Sequence, residues 1–315
     1  MSFVKKIRNG FKYIFNPDYR FMIDAEAGKY NTMPDDEYLA RLYKSLTRRE
    51  LNLKKPKRIN EKIQWMKLYD KNPLYTILSD KHLVRQYIAD TIGEQYLVPS
   101  IGYWDRPEDI DFDSLPSAFV LKCNHNSGKG MCICKNKADL NNSIVIERLQ
   151  EGLQEDYAIK GREWPYKNIE RKIVGEVLLE DSLGADELTD YKVMCFNGTP
   201  KLIQVHHGRF KHHTIDYYTS DWQRTEVYTH DVPKSDTDTE KPQCLDEMLR
   251  LSSKLSEGMP FVRVDWYCVN GRLYFGEMTF YDGSGFDDYI PDKYNELLGS
   301  WIDLSIVNQK YTTDV

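Results

Sequence analysis

The chain has 315 residues, 41% hydrophobic and 29% charged, with a formal net charge of −6. That is enough for a large core in two domains or one elaborate one, and the acidic balance argues against a nucleic-acid binder. No apolar run approaches the roughly 20 residues of a membrane span, and no apolar core ahead of a small-residue cleavage site marks a signal peptide, so a cytoplasmic location is expected.

Residues 3–15, FVKKIRNGFKYIF, set Phe3, Val4, Ile7, Phe11, Ile14 and Phe15 at near-helical spacing, with Lys5, Lys6, Arg8 and Lys12 mostly elsewhere. Two readings stand: a basic helix lying on the inner face of an anionic membrane, and, preferred, a first helix packed on the body. Helices are expected over 35–50, over 59–70 with Asn60 as cap and Ile63, Trp65, Met66 and Leu68 inward, and over 80–92 with Leu83, Val84, Tyr87 and Ile88 inward. DRPEDIDFDSLP, 105–116, reads as an acidic surface connection. From Ala118 the pattern turns strand-rich, with AFVLKCN and GMCICKN around a loop, a helix over 143–153, and strands over 171–180, 190–198, 200–207, 260–271 and 272–280. A helix over 246–256 precedes the last pair. Asn197-Gly198 and Asn270-Gly271 mark two tight hairpins. The six cysteines show no zinc-spaced pair and are expected to be reduced thiols.

Three places carry chemistry. LKCNHNSGKGMCIC, 121–134, runs from a strand lysine into a small-residue loop and back into a strand. It matches neither GxxxxGK[ST] nor GxGxxG. The loop is either an exposed hairpin turn or a phosphate-binding loop whose backbone N–H groups approach anionic oxygens, with Lys122 adding a point charge. In VRVDWYCVNGRLYFGEMT, Arg263 and Asp265 point one way, and across the turn Asp265 and Glu277 lie roughly opposite. Two facing carboxylates repel unless a cation lies between them. Mg²⁺ is one solution and a plain Arg–carboxylate pair the other. In IVGEVLLED, Glu176 interrupts an apolar strand and either meets a buried partner, such as an adenine amino group, or faces solvent at an edge.

In order and spacing these elements resemble the ATP-grasp superfamily. Six phrases resemble its TupA-like branch, named for teichuronopeptide biosynthesis: INEKIQWMKLYD, SDKHLVRQYIADTIGEQYLVP, LPSAFVLKCNHNSGKG, DYKVMCFNGTPKLIQV, GRFKHHTIDYYTSDW and VRVDWYCVNGRLYFGEMTFYDGSG. Together they span about residues 58–286. The resemblance implies an α+β fold with two subdomains clasping ATP: a helical region over 1–115, a first subdomain with a phosphate lid over 116–180, and a second with a Mg²⁺ site over 181–315. It implies that Lys81 and Lys122 meet the phosphates beneath a flap of Asn124, Ser127, Gly128 and Gly130, with Lys129 open between phosphate and solvent. Glu176, Val177 and Leu179 would surround adenine, and Asp190 would hold the ribose, with Lys192 following on its strand face. Arg263, Lys192 and Arg209, and by position His213, would meet the transferring phosphate or the acceptor. Asp265 and Glu277 would bind Mg²⁺. The usual third ligand, Asn, is Thr279 here.

The activity so implied is an ATP-dependent carboxylate–amine ligase working through an acylphosphate. It would join a uronic acid or peptide carboxylate of a bacterial surface polysaccharide to an amino acid. The alternative is a glycosyltransferase of surface-polysaccharide biosynthesis, for which DFD at 111–113 supplies a metal-binding pattern in an unpromising place. His206, His207, His212 and His213 cluster without a metal-binding spacing.

Overall fold

The structure is a computed structural model that describes residues 12–180, 188–208, 212–307 and 309–312. Residues 3–11 of the expected basic helix lie outside the described residues, and 12–15 are helical. Helices α1 (Pro17–Glu26), α2 (Asp35–Thr47), α3 (Ile59–Tyr69), α4 (Leu74–Ser79) and α5 (Val84–Thr91) form the N-terminal part. A four-stranded antiparallel sheet follows, made of β1 (Ser100–Trp104), β2 (Phe119–Cys123), β3 (Cys132–Cys134) and β4 (Ile173–Val177) in the order β1-β4-β2-β3. Helices α6 (Asn142–Leu153) and α7 (Tyr157–Gly161) lie between β3 and β4 in the chain. The second sheet is built from β5 (Asp190–Phe196), β6 (Thr199–His207), β7 (Thr214–Thr219), β9 (Phe261–Val269) and β10 (Arg272–Thr279), ordered β10-β9-β5-β6-β7. A two-stranded pair joins β8 (Tyr228–Thr229) to β11 (Tyr289–Ile290), and helices α8 (Leu245–Leu255) and α9 (Lys293–Trp301) complete the molecule.

Both Asn-Gly turns form, with all four residues at positive φ: Asn197 at 48°, Gly198 at 78°, Asn270 at 52° and Gly271 at 73°. Each hairpin then slips by one residue. Phe275 pairs Trp266 but Met278 pairs Val264, so Gly276 and Glu277 together oppose Asp265. Cys195 pairs Pro200 but Met194 pairs Leu202. A bulge reverses which face the following residues occupy. Without the first, Glu277 would share a face with core-bound Val264. With it, Met278 fills the core and Glu277 and Thr279 join Arg263 and Asp265. The second sets Gln204 and His206 beside Lys192 and Asp190. The five-stranded sheet therefore has one apolar face, including Val193, Ile203, Val264 and Trp266, in a core with Met248, Leu251 and Leu255 of α8. Its other face is charged.

Several expectations are corrected. Val84 starts α5, because the Asp80 carboxylate caps the preceding turn by accepting from His82 N at 2.8 Å, and Leu83 is exposed. Glu61, not Asn60, caps α3, accepting from Arg58 N at 3.0 Å and Lys57 N at 2.7 Å. The stretch 105–116 is not wholly superficial, since Ile110, Phe112 and Leu115 enter the core under the first sheet. Strand β1, which the sequence did not suggest, pairs with β4. Cys244 and Cys268 form a disulfide, Cα–Cα 6.5 Å, rather than reduced thiols, because the chain brings the start of α8 against β9. Among the described residues no helix is long and apolar enough to cross a membrane.

Candidate active site

Period-two alternation puts Lys122 of β2 and Glu176 of β4 on the same face of the first sheet. Lys122 Nζ donates to Glu176 Oε2 at 2.5 Å, and Arg85 of α5 lies 3.4 Å from Oε1. Glu176 is thus a buried, doubly paired carboxylate between two strands, and the solvent-facing reading is overturned. Arg85 was missed from the sequence, where it is one more charge on a helix. Val177 N donates to Pro99 O at 3.0 Å, and Leu179 lies just past the strand, half-buried.

The loop after Lys122 has a fixed root and an exposed tip. Asn124 donates to Asp80 Oδ1 and Glu170 O, both at 2.9 Å, and accepts from Lys172 N at 2.8 Å. Fully buried, it can serve a bound phosphate only by holding the loop. Asn126 donates to Lys129 O at 3.1 Å and Gly152 O at 3.2 Å. Ser127, Gly128 and Lys129 are exposed. Gly128 (φ 87°) and Gly130 (φ 79°) are left-handed, and Gly130 sits so close to α6 that a Cβ would lie 2.7 Å from Arg148 O. The Tyr157 hydroxyl reaches Ser127, and burial followed by the charges of Glu163 and Glu277 pushes its pKa up, so it stays a donor.

Lys81 spans the two sheets. Its Nζ donates to Asn126 O at 2.8 Å and lies 3.5 Å from Glu277 Oε2. On the second sheet Arg263 is the hub. Its Nε and Nη2 donate to Asp265 Oδ1 and Oδ2 at 2.7 and 2.8 Å, its Nη2 also donates to Thr279 Oγ1 at 3.1 Å, and its Nη1 donates to Asp282. Glu277 Oε1 is 3.6 Å from Nη2. Lys192 donates to Asp265 and lies 3.9 Å from Asp190. Asp282 also accepts from Gln204 Nε2 at 2.5 Å. Burial alone would raise the Asp265 carboxyl, but Arg263 and Lys192 outweigh it and hold it below the ordinary range. Glu277 is lowered in the same way, burial opposed chiefly by Lys81.

Arg263, Lys192, Asp265, Glu277, Thr279 and Lys81 are therefore brought together, and Lys122 and Glu176 form a second cluster on the first sheet. Arg209 lies outside the described residues. His206 Nδ1 and His213 Nε2 are 3.1 Å apart, and His206 Nε2 meets Gln204 Oε1 at 3.2 Å, so this pair joins the same hydrogen-bonded face through Gln204. The DFD stretch is a turn in which Asp111 Oδ1 accepts from Asp113 N at 3.2 Å while Phe112 is buried, which gives a metal no paired carboxylates.

Lys81, Lys192 and Arg263 face the carboxylates of Asp265, Glu277, Asp282 and Asp190. Among the described residues no group of three or more His, Cys, Asp or Glu is placed to hold a metal. Asp265 accepts from both Arg263 and Lys192. Glu277 is held only loosely, by Lys81 and Arg263 at 3.5 and 3.6 Å, with its side chain 36% exposed. A polyanion entering here would draw Lys81 and Arg263 toward itself and leave Glu277 to a hard cation, so the donor set fits one such ion at Glu277 with Asp265 beside it.

A family model for TupA-like ATP-grasp proteins matches residues 61–303. Among solved structures, a D-alanine–D-alanine ligase from Bacillus anthracis complexed with ATP is 16% identical, over 65% of this chain and 54% of its own, with TM-score 0.38. The D-alanine–D-alanine ligase of Helicobacter pylori is 13% identical over 78% and 69%, with TM-score 0.42. The ATP-grasp ligase PsnB, complexed with a phosphomimetic variant of its minimal precursor, Mg and ADP, is 11% identical over 74% and 61%, with TM-score 0.39. The chain thus spans little more than half the length of the Bacillus enzyme. No curated protein matches it.

Proposed function

The chain belongs to the TupA-like ATP-grasp family, and on that premise we propose that it is an ATP-dependent carboxylate–amine ligase. The observation that carries this reading is the meeting of Lys81, from the first half, with Glu277, Arg263 and Asp265 of the second sheet. A carboxylate is a poor electrophile until its oxygen is phosphorylated, and phosphoryl transfer needs positive charge placed where charge develops. Lys81 and Arg263 would meet the terminal phosphate of ATP, and Lys122 the phosphates nearer the nucleoside. Ser127, Gly128 and Gly130 would lie over them, with Tyr157 holding the tip of the flap. Glu176, Val177 and Leu179 would border adenine, and Asp190 the ribose. Glu277 and Asp265, with Thr279 beside them, would hold Mg²⁺, which would offset phosphate charge when bound. The acylphosphate formed is then attacked by an amine, with phosphate leaving.

The acceptor carboxylate is proposed to belong to a uronic acid or peptide of a bacterial surface polysaccharide, and the amine to an amino acid. Arg209 and His213 are the residues proposed to face them. The test is release of ADP and phosphate from Mg·ATP with pools of uronic acids and amino acids. ADP release that needs both a carboxylate and an amine, and that falls at least about 100-fold in Glu277→Ala, is expected. Turnover unchanged in Glu277→Ala, or binding of a UDP-sugar in place of ATP, would sink the reading.

A further inference from the structure

Helix α3 buries a polar stripe. Asn60, Gln64 and Lys67, spaced i, i+4 and i+7, are 1%, 0% and 1% exposed. A helix that only needed to pack would put leucine or methionine at these positions, since burying an ammonium is among the costliest substitutions a core can carry. All three side chains grip the backbone of one loop. Asn60 Nδ2 donates to Asp287 O at 2.6 Å, and Gln64 Nε2 to Ser284 O at 3.1 Å and Gly285 O at 2.7 Å. Lys67 Nζ uses three donors: on Ser284 O at 2.7 Å, Ser284 Oγ at 2.9 Å and Gly161 O at 2.7 Å. Its charge also sits 4.8 Å from the centre of the Phe286 ring.

The loop is one that would not hold its shape alone. Gly283, Ser284 and Gly285 follow one another in the left-handed region at φ 52°, 52° and 66°, and Ser284 has no glycine's licence to be there. At its head stands Asp282, 5% exposed, which accepts from Arg263 Nη1 and from Gln204. The far end of the guanidinium that Asp265 holds on one edge is thus held on the other by a residue whose backbone continues straight into the clamped turn.

We propose that Lys67, with Gln64 and Asn60, is a positioning residue: by fixing the left-handed turn 283–285 it sets Asp282, and through Asp282 the orientation of Arg263 at the terminal phosphate. This rests on the ligase reading for what Arg263 faces. Gly161 O, which Lys67 also holds, ends the helix that carries Tyr157, so the same ammonium ties the lid's support to the turn.

The test compares Lys67→Met with Lys62→Met, a control on the same helix whose ammonium bonds Ile302 O instead. Affinities for Mg·ADP and for the magnesium complex of the β,γ-imido analogue of ATP are measured by calorimetry, and the Arg263 side-chain N–H resonances by ¹⁵N NMR. Lys67→Met is expected to bind ADP within about 2-fold of wild type but the analogue at least about 10-fold more weakly, because only the terminal phosphate reads Arg263. The Arg263 Nη1 resonance, whose N–H donates to Asp282, should shift while Nε and Nη2, bonded to Asp265, do not, and Lys62→Met should change none of these. A folded Lys67→Met with an unaltered ratio of the two affinities and unaltered Arg263 resonances overturns the proposal. Should Lys67→Met not fold, Gln64→Met is read in the same way. Should wild type bind neither nucleotide, the ligase reading fails, and the resonances alone decide whether Lys67 positions Arg263.

Discussion

Asp287 shows what the site costs at single-residue scale. Half-buried beside the turn, it has its carboxyl pushed up to about 6 by burial and then by the neighbouring charges of Asp282 and Asp231. Below its unfolded value near 3.8 the group is protonated in both states and contributes nothing. As pH rises to about 6 the unfolded chain gives up the proton and the folded one keeps it, so stability falls through that window. Asp287→Asn is therefore expected to raise stability by about 1–2 kcal/mol at pH 7.5 and by nothing at pH 3.5, allowing for partial exposure. Thermal melts at the two pH values check this, and an equal gain at both would point to packing instead of charge. At this scale the sequence disclosed the residue types well. Arg263, Asp265 and Glu277 could be named because alternation and a resemblance both pointed to them, and Lys81 through the resemblance alone. Lys67 and Gln64 could not, because a lysine and a glutamine in a helix read as solvent-facing until the opposite wall is known.

Among the elements, the loop between β2 and β3 separates two kinds of glycine. Gly128 and Gly130 both have positive φ, where an added Cβ costs about 1 kcal/mol. At Gly128 nothing lies within 4 Å, whereas at Gly130 the Cβ would press on Arg148 O at 2.7 Å and Gly152 Cα at 3.0 Å, backbone atoms that cannot swing aside. Gly130→Ala is thus expected to cost about 2–4 kcal/mol and Gly128→Ala about 1, read as midpoints of urea unfolding. Equal losses would mean that α6 yields, and that the loop root is softer than its hydrogen bonds imply. Strands β2 to β6, β9 and β10 and both hairpins were legible from alternation and the Asn-Gly pairs, whereas β1, β7, β8 and β11 were not. The bulges at 276–277 and near 201 were not. A bulge is one extra residue in a run of suitable strand formers, and nothing local marks where it falls.

Over the whole molecule, a ligand held between two sheets should order both. With Mg·ATP at about 100 times its dissociation constant, the folded state gains about 2.7 kcal/mol, which raises the melting temperature by roughly 5–10 °C. Amide exchange is expected to slow both at 122–131 and at 263–279; slowing in one sheet alone would contradict a clasp. Taken by itself, the sequence determined most of the element order and the two hairpins, because these are written in local periodicity and turn chemistry, while its resemblance to a known family pointed to the residues able to do phosphoryl chemistry. The tertiary structure decided which face each strand shows, since one bulged residue inverts a period of two and carries Glu277 from the core side to the side of Asp265. It also decided the partners: Lys67 meets Ser284 across 217 positions, Lys122 meets Glu176 across 54, and Cys244 meets Cys268 across 24. Such pairs are set by how helices and sheets pack, and packing is a property of the assembled chain that no short stretch of it contains.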